Sequence, residues 1–301
     1  MVRIGVVLLP QERWATARSR WRAAEEMGFD HAWTYDHLAW RDLADEPWFA
    51  TVPLLAAAAA VTDRIGLGTW VASPNFRHPV PFAKDVMGLD DVSGGRFLLG
   101  VGAGGEGWDA GVLGPAPSRA ERTQRFAEFL GLLDKLLTQE VTDHDGAFYQ
   151  ARGARMVPGT IARPRTPFVV AANGPRAMAL AARYGQGWAT FGPGTGVGDG
   201  ADAAAAQEAW WDGLARMADA FDEAADGRDV GRWLSLDGAP RFSLTSAALA
   251  VEGVERAAAL GFGDVVVHWP RPSGVYAGDE RELERFAAEV PRLQALEPAA
   301  R

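Results

Sequence analysis

The chain has 301 residues, 48% of them hydrophobic, and a formal net charge of -9. Its length leaves one large barrel or two ordinary domains open. The acidic balance argues against a nucleic-acid partner, because phosphate binding draws on clustered Lys and Arg and no such cluster is present. With no cysteine, disulfides, thiolate metal sites and thiol nucleophiles are all excluded, and a secreted disulfide scaffold with them.

In chain order, short runs rich in β-branched and aromatic residues alternate with helical periods. The first strand is predicted at Ile4–Leu9; it ends at Pro10-Gln11-Glu12, too short for a signal peptide. A helix at Ala15–Met27, a strand at His31–Tyr35 and a helix at Val52–Val61 follow. That last run is the longest apolar stretch, but it is about half a bilayer span and mostly alanine, so it reads as a packed helix. A cytoplasmic protein without a membrane partner is expected. The pattern continues with a strand at Ile65–Ala72, a helix at Pro81–Asp91, a strand at Phe97–Val101 and a helix at Arg119–Leu137, which Ser118 caps with Glu121 three positions on. Strands at Phe168–Ala172, Trp188–Phe191, Trp233–Leu236 and Asp264–His268 then alternate with helices at Pro175–Arg183, Ala203–Ala225, Ala247–Leu260 and Glu280–Leu293.

Eight such βα units predict a parallel (β/α)8 TIM barrel, an α/β fold read as a single domain over 1–301. Gly28, Gly185 and Gly261, each just past a helix, are expected to take the left-handed conformation that closes the last carbonyls. Two stretches exceed ordinary loop length, Asp143–Pro167 after the fourth strand and Gly192–Gly200 after the sixth, and read as insertions or lids.

In such barrels chemistry sits on the loops that follow the strands. Those loops hold Asp36-His37-Leu38-Ala39-Trp40, Ser73 to Pro79, Gly102 to Asp109, Asn173 to Arg176, and Trp269 to Pro272. His37 reads either as half of a structural pair with Asp36 or as a general acid/base beside a carboxylate, and its place directly past a strand favours the second. The glycines of Gly102–Gly107 let backbone approach a flat or anionic ligand, or make a flexible turn. At Ala172-Asn173-Gly174-Pro175-Arg176 an Asn-Gly turn followed by a proline-started helix leaves free N–H groups suited to a phosphate. His78 reads as a structural cap, His268 is open between pocket floor and core, and no ligand spacing supports a metal site.

Taken together, Ala24-Glu25-Glu26-Met27-Gly28-Phe29-Asp30 with Asp36-His37, Ile65 to Thr69 through Asn75-Phe76-Arg77-His78-Pro79, and Leu89 to Arg96 leading into Leu99-Gly100-Val101-Gly102-Ala103-Gly104 resemble the luciferase-like family of flavin- and deazaflavin-dependent oxidoreductases. The resemblance covers Ile4 to His268. It implies a cofactor, coenzyme F-420 or FMN, held at the C-terminal mouth of the barrel for two-electron hydride transfer or dioxygen activation on a small organic substrate. It further implies a non-prolyl cis peptide at Trp70–Val71, His37 as acid/base, Trp40 as a wall and Glu106 as a proton donor, although Gly105 displaces that glutamate by one position from the family pattern. A homodimer is expected from the same resemblance.

The candidate catalytic residues are therefore His37 and Glu106. The candidate cofactor contacts are Asp36, Trp40, Trp70, Val71, Ser73, Gly102, Gly104, Asp109, Ala172, Asn173, Gly174 and Arg176. A dehydrogenase or reductase using coenzyme F-420 and an FMN-dependent monooxygenase both fit these residues. A non-catalytic flavin-binding protein is a further alternative. A barrel hydrolase would have only Asp36, Glu106 and Asp109 to draw on.

Overall fold

The structure, a computed structural model, describes residues 1–105, 107–194 and 202–300. From the N-terminus come β1 (Arg3–Val7), α1 (Trp14–Glu26), β2 (His31–Thr34), α2 (Thr51–Ala59), β3 (Gly66–Thr69), α3 (Pro79–Val92) and β4 (Phe97–Gly102). A short α4 (Trp108–Val112) and the long α5 (Arg119–Thr138) lead to a two-stranded antiparallel hairpin, β5 (Val141–Asp145) and β6 (Gln150–Arg155). The remainder alternates β7 (Phe168–Ala171), α6 (Pro175–Tyr184), β8 (Gly187–Thr190), α7 (Ala203–Ala225), β9 (Gly231–Ser235), α8 (Ala247–Ala259), β10 (Asp264–His268) and α9 (Glu280–Gln294). Among the described residues, eight strands close into a barrel in the order β1-β10-β9-β8-β7-β4-β3-β2, so the predicted fold class holds.

The chain groups into two compact units, the first comprising Met1–Leu8, Ala23–Ala32 and Ala172–Arg301, the second Leu9–Arg22 and Trp33–Ala171. In the first, β1 runs parallel to β10 with Arg3 opposite Asp264 and Val7 opposite His268. Trp188, fully buried, stacks on Phe221 at 4.2 Å between centroids, and Phe29 meets Phe286. A buried Asp264 bonds His31 at 3.1 Å and takes an ion pair from Arg3. In the second unit, β4 pairs with β7 from Leu99 opposite Phe168 to Gly102 opposite Ala171. Arg96 fans across the carbonyls of Ala59, Thr62, Ile65 and Ser93, satisfying the C-terminal end of α2 and fixing the entry to β3.

Three local expectations change. The α6 terminus does not use a left-handed glycine: Gly185 has φ -80 and closes the helix through its N–H to the Ala181 carbonyl at 2.8 Å, because the chain runs straight on into β8. Gly28 and Gly261 do take positive φ, +88 and +79. The stretch Asp143–Pro167 is no plain loop: it contains the end of β5 and all of β6, strands whose residues are mostly polar and so lack an apolar signature. The ladder of β3 stops at Thr69, the Trp70–Val71 peptide is cis as the resemblance implies, and pairing resumes where Ala72 bridges to Val101. Of the Gly192–Gly200 stretch, residues 195–200 lie outside the described residues, as does Glu106.

Candidate active site

In the second unit, β2, β3 and β4 each deliver a loop from the C-terminal end, and every pair of these loops is bonded together. After β2, Asp36 is buried and accepts two hydrogen bonds from Arg77 of the β3 loop, both 2.6 Å, in a fork geometry. The Arg77 guanidinium also lies 4.4 Å from the Phe82 ring. Both oxygens of Asp36, expected to contact a cofactor, are thus bonded by Arg77. Asn75 of the β3 loop donates to the Gly105 carbonyl of the β4 loop at 3.4 Å. Gly104, at φ +78, sits so close to Asn75 that a Cβ there would meet its side chain at 2.7 Å; only glycine fits.

The third brace joins a histidine to a carboxylate. The His37 ring nitrogen Nδ1 bonds Asp109, whose other oxygen accepts from the Leu38 N–H at 2.8 Å and the Ala39 N–H at 3.3 Å. The Asp109 side chain is 3% exposed and that of His37 23%. An ionised carboxylate only accepts, so in the neutral imidazole the Nδ1 proton is held toward Asp109 and Nε2 is left as the acceptor. Aromatic rings surround this imidazole: Tyr35 edge-on at 5.9 Å and Trp48 at 6.5 Å, with Trp40 against Tyr35 at 5.1 Å. Trp70 packs on Trp33 at 4.9 Å. Ser73 is buried, its Oγ 3.4 Å from the Asn75 N–H.

A cationic group faces the same glycine loop. Arg125 of α5 donates to Asn75 Oδ1 at 3.2 Å, while its Nε and the Tyr149 hydroxyl are buried without hydrogen-bond partners among the described residues. Burial pushes the Tyr149 phenol up to about 12, with Arg125 opposing and Glu128 adding to the shift, so it remains a donor at neutral pH. Around Gly102 and Gly104 the backbone is drawn tight, a Cβ at Gly102 meeting Val71 at 2.9 Å, whereas among the described residues one at Gly105 would come no nearer than 3.9 Å to Gly107 and one at Gly107 would find nothing within 4 Å. These residues fit a flat ligand with an anionic arm: glycine backbone to approach, aromatic walls, and in Arg125 Nε and the Tyr149 hydroxyl two buried donors unpaired among the described residues.

In the first unit, Asn173 is used internally, donating to the Gly192 carbonyl and accepting from Thr190, both at 2.8 Å. The Ala172 carbonyl accepts from Trp188 Nε1. Gly174 caps α6 with Pro175 at the first helical position, and Arg176 is exposed. His268 is buried and bonded to Asp237 at 2.9 Å with Tyr276 stacked on it; it is a core histidine. His78 caps α3, accepting from the Val80 N–H, as predicted. Sequence reading named Asn75 only within the loop after the third strand and gave Trp48, Arg125 and Tyr149 no role. Trp48 stands in an irregular loop and Arg125 amid a regular amphipathic helix, so neither carries a local signal.

A closed (β/α)8 barrel with a histidine-carboxylate pair just past a strand defines the class by fold and by site. Residues 2–230 match the family described as luciferase-like monooxygenase, and the chain belongs to that family. It is 41% identical over 170 residues to an F420-dependent glucose-6-phosphate dehydrogenase of Beutenbergia cavernae, covering 55% of this chain and 49% of that one. It is 34% identical over 203 residues to a 4-hydroxyprotoasukamycin monooxygenase of Streptomyces nodosus subsp. asukaensis, covering 60% and 51%. The chain spans about half the length of the curated relatives it matches. An F420-dependent secondary alcohol dehydrogenase solved with an F420-acetone adduct superposes with a TM-score of 0.77 at 16% identity, covering 97% of this chain and 99% of that one, a likeness of fold.

Proposed function

We propose that this chain is a coenzyme F-420-dependent dehydrogenase that oxidises a small alcohol, with His37 taking the hydroxyl proton as the carbon loses hydride. The observation that carries the reading is the buried Asp109 on His37 Nδ1, which leaves Nε2 as the proton acceptor at the C-terminal end of a barrel strand. When bound, the deazaflavin supplies a two-electron hydride acceptor, and the protein supplies orientation and electrostatics.

Trp40, Trp70, Val71, Ser73 and the Gly102–Gly105 backbone would hold the ring, and Asn75, Arg125 and Tyr149 would supply donors for an anionic arm. Asp36 acts through Arg77, fixing the β2 and β3 loops to each other. Tyr35, Trp40 and Trp48 exclude water from the imidazole and give the substrate an apolar wall. The same reading has the enzyme working as a homodimer in the cytoplasm and the chain folding as one domain. Among the described residues no helix is long and apolar enough to cross a membrane. The similarity to a monooxygenase supports a second reading, oxygen activation with reduced FMN.

Turnover separates these readings. Purified protein is mixed with oxidised coenzyme F-420 and a panel of small alcohols, and bleaching of the cofactor's visible band is followed. A dehydrogenase bleaches it only when its substrate is present, and His37→Ala slows that step by about 10²–10⁴-fold, the usual worth of a positioned acid/base. Bleaching with no alcohol in the panel, together with substrate-dependent oxygen uptake in the presence of reduced FMN, would establish the monooxygenase instead.

A further inference from the structure

The first unit contains a cavity of about 350 Å³ bounded by the first turns of α7, the segment that follows β9, and α8. This is within the size range of small-molecule sites, roughly 300–1,000 Å³. Trp211, Leu236 and Leu249 give it apolar walls, and Gln207, Arg241 and Ser243 give it polar ones.

The polar groups are arranged as donors. Gln207 uses Oε1 to accept from the Arg241 backbone N–H at 3.3 Å, which leaves its amide Nε2 as a donor. Ser243 is 2% exposed and among the described residues its Oγ has no hydrogen-bond partner, a costly arrangement for a buried hydroxyl. Arg241 is exposed, and among the described residues its guanidinium enters no ion pair.

The acidic side chains at the rim are already engaged. Glu208 binds Arg256 through two hydrogen bonds of 2.7 Å, Glu252 lies 3.7 Å from the same guanidinium, and Asp202 caps the N-terminus of α7 through the Ala204 N–H. Among the described residues that line the cavity, Arg241 is left as the uncommitted charge. An arginine fork presents paired donors that match carboxylate and phosphate oxygens. The segment bearing it follows the seventh barrel strand in chain order, and barrels commonly hold phosphates on the loops after their seventh and eighth strands.

We propose that this cavity binds an organic oxyanion, a carboxylate or phosphate ester on a small apolar body, with Arg241 pairing the charge, Gln207 and Ser243 donating to its oxygens, and Leu236, Leu249 and Trp211 covering the body. None of the residues that line it belongs to those proposed for the reaction, and the inference does not rest on that reading.

Titration calorimetry on the full chain tests it with three probes: phenyl phosphate, benzoate and the neutral benzyl alcohol. One of the two anions is expected to bind saturably at one site per chain, at least tenfold more tightly than benzyl alcohol. Arg241→Gln, a surface change that leaves the core intact, should weaken it at least tenfold, and His37→Ala should leave it within twofold. Whichever anion binds more tightly assigns the headgroup. The proposal is overturned by saturable binding of neither anion, by equal binding of the neutral probe, by binding indifferent to Arg241→Gln, or by loss of binding in His37→Ala.

Discussion

A neutral imidazole carries its proton on one nitrogen only, and here Asp109 decides which. The carboxylate is held from its other side by the Leu38 and Ala39 N–H groups, so it cannot swing away and release the ring. Replacing Asp109 with Asn removes the charge and lets the amide N–H face Nδ1, which favours the tautomer protonated on Nε2, the wrong one for a base. Asp109→Asn is therefore expected to lower kcat by about 10²-fold or more, within the range of general acid/base contributions, while leaving the Kd for the cofactor within about twofold. Steady-state kinetics paired with a cofactor titration checks the split; a variant that loses cofactor affinity but keeps kcat would make Asp109 a cofactor ligand. His37 was legible from the chain because it directly follows a strand-like run. Its true partner was not: the adjacent Asp36 was the natural reading, and Asp109 lies 72 positions away. No local pattern announces a pairing made by two loops meeting in space.

Among the elements, the β5–β6 hairpin is tied to α5 by one carboxylate. Glu128 accepts from the Tyr149 N–H at 2.8 Å and the Phe148 N–H at 3.1 Å, and meets His144 at 3.2 Å. Burial pushes its pKa upward, but these hydrogen bonds and the neighbouring imidazole outweigh burial and leave the carboxyl below its ordinary value. A carboxylate whose folded-state pKa is depressed contributes stability that is present above the unfolded pKa and is lost as pH falls through the folded one. Glu128→Gln should then cost about 1–2 kcal/mol at neutral pH, the scale of hydrogen bonds to a charged group, and the deficit should shrink to nothing as the solution is taken below the carboxylate range. Chemical denaturation of both proteins at several pH values measures this; a deficit independent of pH would show that packing, not charge, holds the hairpin. The same element shows where sequence reading stops. The strands Val-Thr-Asp-His-Asp and Gln-Ala-Arg-Gly-Ala-Arg turn Thr142, His144 and Ala151 inward, and because these are polar or small the alternation is not written in apolar residues. Their register is set by each other and by the α5 clamp.

For the whole molecule, the barrel was legible because its eight strands are buried enough to be written as apolar runs, and because glycines punctuate the joints. The Asp264–His268 strand and the Ala203–Ala225 helix fall where periodicity puts them. What periodicity could not supply was how the loops bond one another, since Arg77, Asn75 and Asp109 each act across tens of residues. The proposed function requires that those cross-braced loops form a receptacle for a planar redox cofactor, with the buried donors Arg125 and Tyr149 serving its anionic arm. Equilibrium titration of the cofactor-free protein with coenzyme F-420, followed by fluorescence and repeated with FMN, tests this most directly. Saturable one-to-one binding of coenzyme F-420 is expected, tighter than that of FMN and weakened about tenfold or more by Arg125→Gln; saturable binding of neither cofactor would contradict the proposed function.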